Sequence, residues 1–215
     1  MGKALRSVLL AMVVAWTGSP AQASVERLTD CFGRDGVESD VCRLYVLAIY
    51  QAIRFAQSRQ GVTQTTCQLG ADINQDRLAE TLQDDLVGAS GRYPDLPPIG
   101  VAITVLSTSR ACPRELAKDF GGPTTGWLLS RCEAGLKNED EMTLCATYLG
   151  GLFEALNLTS GWRDGDQFLC PPKKGVQGKV LLKLLIDEAI RDPEAQRKPA
   201  VEVVAAALTR KYPCR

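Results

Sequence analysis

One segment of this chain occurs twice. The stretch from Cys42 to Ile53, CRLYVLAIYQAI, returns 103 residues later as the stretch from Cys145 to Leu156, CATYLGGLFEAL. A period of about 100 residues is too long for the unit of a solenoid and is typical of a small domain used twice. The repeat therefore predicts two similar small domains in tandem.

The beginning of the chain has the pattern of a secretory signal peptide. Lys3 and Arg6 form a positive start, residues 7–18 form an apolar run, and Ala21-Gln22-Ala23 is an A-x-A cleavage site. The apolar run is too short to remain as a transmembrane helix. We therefore expect cleavage after Ala23, a periplasmic location and no membrane span in the mature chain.

The repeat and the signal peptide together predict the domain boundaries. The segment GGPTTG has little side chain to bury and is interpreted as a linker between the copies. A domain of under about 100 residues has a marginal core and commonly needs covalent cross-links. The predicted division is signal peptide 1–23, helical repeat domain 24–120, linker 121–126 and helical repeat domain 127–215.

Each copy is predicted to contain four helices. The second copy shows helical patterns over residues 127–136, over about 18 residues behind Asn138, over 177–190 and around 203–208. The fourth segment of the first copy, residues 101–105, is rich in β-branched residues and is also compatible with a strand. Because its counterpart in the second copy favours a helix, the predicted fold class is all-α, with two tandem disulfide-bonded four-helix domains.

The repeated helix carries a stripe of small residues. Small side chains on one helix face allow another helix to approach closely, so this stripe predicts packing rather than a binding motif. The matching positions of the two copies are Tyr45, Ala48 and Ala52, and Tyr148, Gly151 and Ala155.

The eight cysteines predict a disulfide framework. Their spacings are 11, 25 and 45 residues in the first copy and 13, 25 and 44 in the second, and all of them follow the signal peptide. In an antiparallel four-helix arrangement the start of helix 2 lies beside helix 1 and the start of helix 3 beside the end of helix 4. This layout favours the pairs Cys31–Cys42, Cys67–Cys112, Cys132–Cys145 and Cys170–Cys214. A rival pairing of Cys42 with Cys67 is disfavoured but stays open, because the intervening loop could just span that length.

The composition argues against several function classes. Without Lys3 and Arg6, the mature chain has 23 Lys and Arg residues against 25 Asp and Glu, which does not favour a nucleic-acid partner. The absence of histidine removes the commonest general base and metal ligand, and the cysteine spacing matches no zinc motif. The pairs Asp84-Asp85 and Asp164/Asp166 are interpreted as surface charge. We therefore expect no enzyme activity, no cofactor and no metal.

The second copy resembles the Tai-type immunity proteins, also called the Rap-type family, which protect bacteria against amidase effectors delivered by type VI secretion. The first copy matches less well, because it has Ala48 at the glycine position, Cys67-Gln68 without the proline, and Cys112-Pro113 in reversed order. The matching residues are Cys145-x-x-Tyr148-x-x-Gly151, Cys170-Pro171 followed by Gly175-Val176-x-Gly178, Pro193, and Ala206-Ala207-Leu208 with Tyr212-Pro213-Cys214.

The resemblance implies a small helical periplasmic protein that binds and inhibits a peptidoglycan amidase and has no cofactor. Members of the family usually have one such domain, whereas this chain has two. The copies would then pair within one chain as a pseudo-dimer or between chains as a homodimer. The alternative function is an envelope stress or chaperone-like helical module.

The resemblance does not transfer a binding site, so partner-binding residues are predicted from side-chain chemistry. Aromatic and Arg side chains dominate the energetics of protein interfaces. Arg92-Tyr93 and Trp162-Arg163 combine this chemistry with a predicted loop position. The same residues are also compatible with the ordinary loop aromatics of any small domain.

Overall fold

The computed structural model describes residues 37–60, 100, 123–161, 167–172 and 175–214. In this part of the chain the backbone forms no strand, only an isolated bridge between Thr124 and Pro199. None of the helices is long and apolar enough to span a membrane. The elements are α1 (Val37–Gln60), α2 (Thr125–Ala134), α3 (Glu139–Thr159), α4 (Gly178–Arg191), a 3-10 helix (Pro193–Arg197) and α5 (Ala200–Lys211).

The all-α prediction is confirmed for the described residues. Helices α2 to α5 occupy the four positions predicted for the second copy, and α1 is the helix that carries the first occurrence of the repeat. Thr124 caps α2, so the last residues of the predicted linker 121–126 form the beginning of a helix. The other three helices predicted for the first copy, including residues 101–105, lie outside the described residues.

Helix α3 begins where the sequence places a capping residue. The side chain of Asn138 accepts a hydrogen bond from the backbone N–H of Asp140 at 3.0 Å. Glu139, Asp140 and Glu141 occupy the first turn, where negative charge interacts favourably with the helix dipole. At the other end, the N–H of Ser160 donates to the carbonyl of Leu156. Local sequence therefore accounts for the start of this helix.

A disulfide and a close backbone contact join α2 to α3. Cys132 and Cys145 form a bridge with a Cα–Cα distance of 5.1 Å, as predicted. Behind it, Gly135 lies so close to the next helix that a Cβ atom there would be 2.7 Å from the Cα of Met142. The tight turn between the helices therefore requires a residue without a side chain at position 135.

A second predicted disulfide, Cys170–Cys214, closes the carboxyl-terminal end with a Cα–Cα distance of 5.0 Å. Next to it, the N–H of Cys170 donates to the carbonyl of Tyr212 at 3.0 Å. Cys42 is also disulfide-bonded, and its partner lies outside the described residues. The pairs Cys31–Cys42 and Cys67–Cys112 therefore stay predictions, as does the rival pairing of Cys42 with Cys67.

Helices α4 and α5 pack through apolar faces and one buried charge. Leu181, Leu185 and Ala189 lie at helical spacing on one face of α4 and are buried. Beside it, the nearly buried carboxylate of Glu188 accepts hydrogen bonds from both terminal nitrogens of Arg210 and from Arg191 at 3.0 Å. Two guanidinium groups compensate the desolvation of this carboxylate, which fixes α5 against α4.

The most extensive helix contact is between α1 and α3, the two helices of the repeat. Residues 44–54 of α1 are buried, and most of them belong to the same hydrophobic cluster as the buried residues of α3, α4 and α5. Ala48 and Gly151 lie at a close approach of the two helices, since a Cβ on Gly151 would be 3.1 Å from the Cβ of Ala48. The small-residue stripe is therefore a packing surface, as predicted.

Two adjacent glycines of α3 provide a test of this packing. A Cβ on Gly151 would lie 2.9 Å from Cδ2 of Tyr45, whereas a Cβ on Gly150 would meet no atom within 4 Å. We expect Gly150→Ala to raise the free energy of unfolding by about 0.5–1 kcal/mol through helix propensity. Gly151→Ala is expected to lower it by about 1–3 kcal/mol through overpacking. Urea unfolding measures both, and equal effects would contradict the close contact at Gly151.

Candidate partner-binding site

The four predicted partner-binding residues, Arg92, Tyr93, Trp162 and Arg163, lie outside the described residues. Their prediction as partner-binding residues therefore stays a prediction. The structure does describe both flanks of the second pair, at Gly161 and at Gln167.

Residues 167–169 are held in place by a small hydrogen-bond network. Leu169 is buried, and its carbonyl accepts hydrogen bonds from Oγ of Ser160 at 3.2 Å and from Nε2 of Gln167 at 3.1 Å. Ser160 lies at the end of α3, so the network anchors this segment to that helix. The chain that follows Trp162 and Arg163 therefore returns to a fixed position in the fold.

Next to this anchor lies a cluster of one arginine and two phenylalanines, which we name the Arg59 cluster (Phe55, Arg59 and Phe168). The guanidinium of Arg59 lies 5.3 Å from the centroid of the Phe168 ring. That ring packs edge-to-face on Phe55 with centroids 6.3 Å apart. Arg59 is exposed and both rings are half-buried. A cation–π contact restricts the arginine before any partner arrives, which lowers the entropy lost on binding.

A second stacked arginine lies on α2. The guanidinium of Arg131 is 5.1 Å from the Trp127 ring centroid, and its Nη1 donates to Oε1 of Glu141 at 2.6 Å. This hydrogen bond, together with the nearby charges of Glu141 and Asp40, raises the pKa of Arg131. Because Arg131 already has an intramolecular carboxylate partner, this cluster serves to connect α2 with α3. The Arg59 cluster is the better candidate for recognising another protein.

Two buried tyrosines hydrogen-bond across the contact between α1 and α3. Oη of Tyr45 donates to Oε2 of Glu154 at 2.6 Å, and Oη of Tyr148 donates to Oε1 of Gln51. Burial raises the pKa of both tyrosines far above the usual range, and the charge of Glu154 contributes at Tyr45. Both tyrosines are therefore neutral donors.

Burial also raises the pKa of Glu154, although the hydrogen bond from Tyr45 acts in the opposite direction. The hydrogen bond from Tyr45 thus compensates the burial of this carboxyl group only in part. Gln51, at the corresponding place in the other pair, accepts a tyrosine hydrogen bond without carrying a charge.

The surface chemistry of the described residues around Arg59 is cationic and aromatic. No group of His, Cys, Asp and Glu within residues 37–60, 100, 123–161, 167–172 and 175–214 could hold a metal ion. The carboxylates considered for glycoside chemistry, Asp84-Asp85 and Asp164/Asp166, lie outside these ranges. What the described surface offers a partner is a restrained guanidinium and half-buried aromatic rings.

The sequence interpretation did not single out Arg59 or Phe168. Both residue types fit the criterion applied to Arg92 and Trp162, but Arg59 lies at the end of a helix that was assigned to packing. Phe168 is more than 100 residues from Arg59 in the chain. A search for Arg and aromatic residues near Trp162 would have found Phe168, whereas its contact with α1 depends on tertiary structure.

The raised pKa of Glu154 predicts a pH-dependent effect of Glu154→Gln. The folded protein binds a proton at Glu154 more readily than the unfolded chain, so this residue's contribution is most favourable at low pH and is lost as pH rises through the folded pKa. Glutamine keeps the acceptor for Tyr45 without the charge. We expect the variant to be more stable than the original protein in urea unfolding at pH 7, with a smaller difference at pH 4.

Glu194→Gln is the control for this experiment, because Glu194 is exposed and paired only with the exposed Arg197 among the described residues. A loss of stability at pH 7 in Glu154→Gln would show that the carboxylate is fully compensated in the interface.

Comparison with known proteins gives one match. Residues 124–214 match the family model described as Rap1a immunity proteins. No curated protein and no solved structure matches the chain. The matched range contains α2 to α5 and both complete described disulfides. These helices are therefore the part of the chain that is similar to the Rap1a immunity proteins.

Proposed function

We propose that this chain is a periplasmic immunity protein that neutralises a peptidoglycan amidase effector delivered by type VI secretion. The match of residues 124–214 to the Rap1a immunity proteins is the observation that carries the proposal. An immunity protein acts by binding its effector, so the chain needs no catalytic group of its own. The amidase target rests on the family resemblance of the motifs around Cys145 and Cys170.

Two features support a periplasmic location. The disulfides Cys132–Cys145 and Cys170–Cys214 favour an oxidising compartment. The first 23 residues have the charge, apolar run and cleavage site of a secretory signal peptide. We propose that the mature protein begins at Ser24 and forms its disulfides after export, where it would meet an effector that enters from outside.

We further propose that the chain is a tandem version of the family domain. The segment repeated at an interval of 103 residues and the similar cysteine spacings support this proposal. Residues 124–214, which match the family model, contain the second occurrence of the repeat. The first occurrence matches the quoted family motifs less closely, with Ala48 at the glycine position.

For the effector-binding surface we propose the region around Trp162 and Arg163 together with the Arg59 cluster, with Arg92 and Tyr93 as candidates in the first copy. Trp, Tyr and Arg supply a large share of binding energy in protein interfaces. Arg59 is exposed and already restrained by Phe168, and the network at Leu169 fixes the chain beside it. A rigid anchor of this kind loses little entropy when a partner binds.

Truncation of the proposed anchors tests this surface. We expect Arg59→Ala and Trp162→Ala each to weaken effector binding by about 2 kcal/mol, or roughly 30-fold in Kd, as interface anchors do. Titration calorimetry with the purified effector measures the change. Arg197→Ala is the matched control, because Arg197 is an exposed arginine in the 3-10 helix and is expected to leave Kd unchanged. Unchanged affinity in Arg59→Ala, Trp162→Ala and Tyr93→Ala would remove this surface from consideration.

The function itself is tested by capture of partners on the mature, oxidised protein from periplasmic and secreted extracts, read by mass spectrometry. We expect one peptidoglycan amidase at near-equal stoichiometry, and inhibition of its peptidoglycan cleavage by an equimolar amount of this protein. Capture of many unrelated proteins, or of none, would contradict the immunity function. Binding of an apolar dye that increases between pH 7 and pH 3 would then favour the chaperone-like alternative.

A further inference from the structure

The contacts between α1 and α3 repeat the interval found in the sequence. Tyr45 and Tyr148 are 103 residues apart, and so are Gln51 and Glu154. The two hydrogen bonds join Tyr45 to Glu154 and Tyr148 to Gln51. The acceptor of Tyr45 is Glu154 and the acceptor of Tyr148 is Gln51, and these two acceptors occupy corresponding positions of the repeat. Exchanging the two helices converts one hydrogen bond into the other.

The close approach of the two helices obeys the same relation. Ala48 and Gly151 are also 103 residues apart, and they contact each other. A contact between two corresponding residues is converted into itself when the helices are exchanged, so it lies on the axis of that exchange. Position 45 contacts 154 and position 51 contacts 148, so the two helices run in opposite directions. These are the properties of an isologous interface, in which residue i contacts j and j contacts i.

We infer that α1 and α3 pair about an internal pseudo-two-fold axis between Ala48 and Gly151, so that one chain supplies both halves of a contact that a one-domain protein would make with a second copy. The inference rests on the proposed tandem arrangement and is independent of the effector. The face of α3 around Tyr148 and Gly151 is filled by α1 of the same chain. It is therefore closed to a second copy and to the effector.

The two halves of the interface are not identical, and the difference fits this arrangement. One tyrosine acceptor is the carboxylate of Glu154 and the other is the neutral amide of Gln51. In a homodimer built from the α3 copy alone both acceptors would be glutamates, and the interface would enclose two carboxyl groups. A tandem chain allows each position to change separately, so only one charge is retained. The axis residues differ in the same way, with alanine in α1 and glycine in α3.

A cysteine pair at the axis tests whether the contact forms within one chain. The Cβ atoms of Ala48 and of a residue placed at Gly151 would lie 3.1 Å apart, slightly closer than in a relaxed disulfide. We expect Ala48→Cys combined with Gly151→Cys to form a cross-link between these two positions at the mass of a single chain. Ala48→Cys with Gly150→Cys is the control, because a Cβ at Gly150 meets no atom within 4 Å. A cross-link between two chains would overturn the inference.

A second measurement needs no new cysteine. Sedimentation equilibrium of the unmodified mature protein should give the mass of one chain at micromolar concentration, and a stable dimer would contradict the closed face.

Double-mutant cycles that measure the melting temperature complete the test. Tyr45→Phe and Tyr148→Phe should each lower Tm by about 2–4 °C, and each should be coupled to the acceptor on the other helix. If each tyrosine were coupled more strongly to the acceptor on its own helix (Tyr45 to Gln51, Tyr148 to Glu154), the proposed axis would be wrong. Failure of effector capture would leave all these outcomes unchanged.

Discussion

The close approach of α1 and α3 is the contact on which the rest of the described structure depends. Ala48 and Gly151 remove side-chain volume from the crossing point, and Tyr45 packs into the space beside Gly151. This proximity allows two buried tyrosines to reach acceptors on the opposite helix. Because buried polar groups need partners, the hydrogen bonds fix the register of the helices as well as their distance. The core then extends from α1 through α3 to α4 and α5.

Covalent and electrostatic links stabilise the remaining elements around this pair. Cys132–Cys145 ties α2 to the start of α3, and Cys170–Cys214 ties the segment before α4 to the end of α5. Glu188 joins α4 to α5 by accepting from two arginines. Small domains bury a limited fraction of their surface, so such links supply stability that the core alone does not provide. Cys170–Cys214 also restrains residues 167–169, which directly precede it and supply Phe168 to the Arg59 cluster.

This arrangement separates the surfaces that hold the fold together from the surface proposed for recognition. The motif residues Cys145, Tyr148 and Gly151 face the disulfide and the crossing of α1 with α3, so their role is structural. The Arg59 cluster instead presents a guanidinium at the surface, stacked on a ring that α1 and residues 167–169 position together. A partner that binds there would contact groups from segments more than 100 residues apart.

The sequence by itself determined the helical class, the helix positions between 125 and 211 and two of the disulfides, because these depend on local periodicity, capping residues and cysteine spacing. Asn138 lies at the predicted start of α3, and the stripe through Gly151 packs as its spacing indicates. Only the tertiary structure decided that the stripe of α3 packs on the corresponding stripe of α1, and that Arg59 stacks on Phe168. A stripe of small residues specifies that some helix approaches, but the identity of that helix depends on three-dimensional packing.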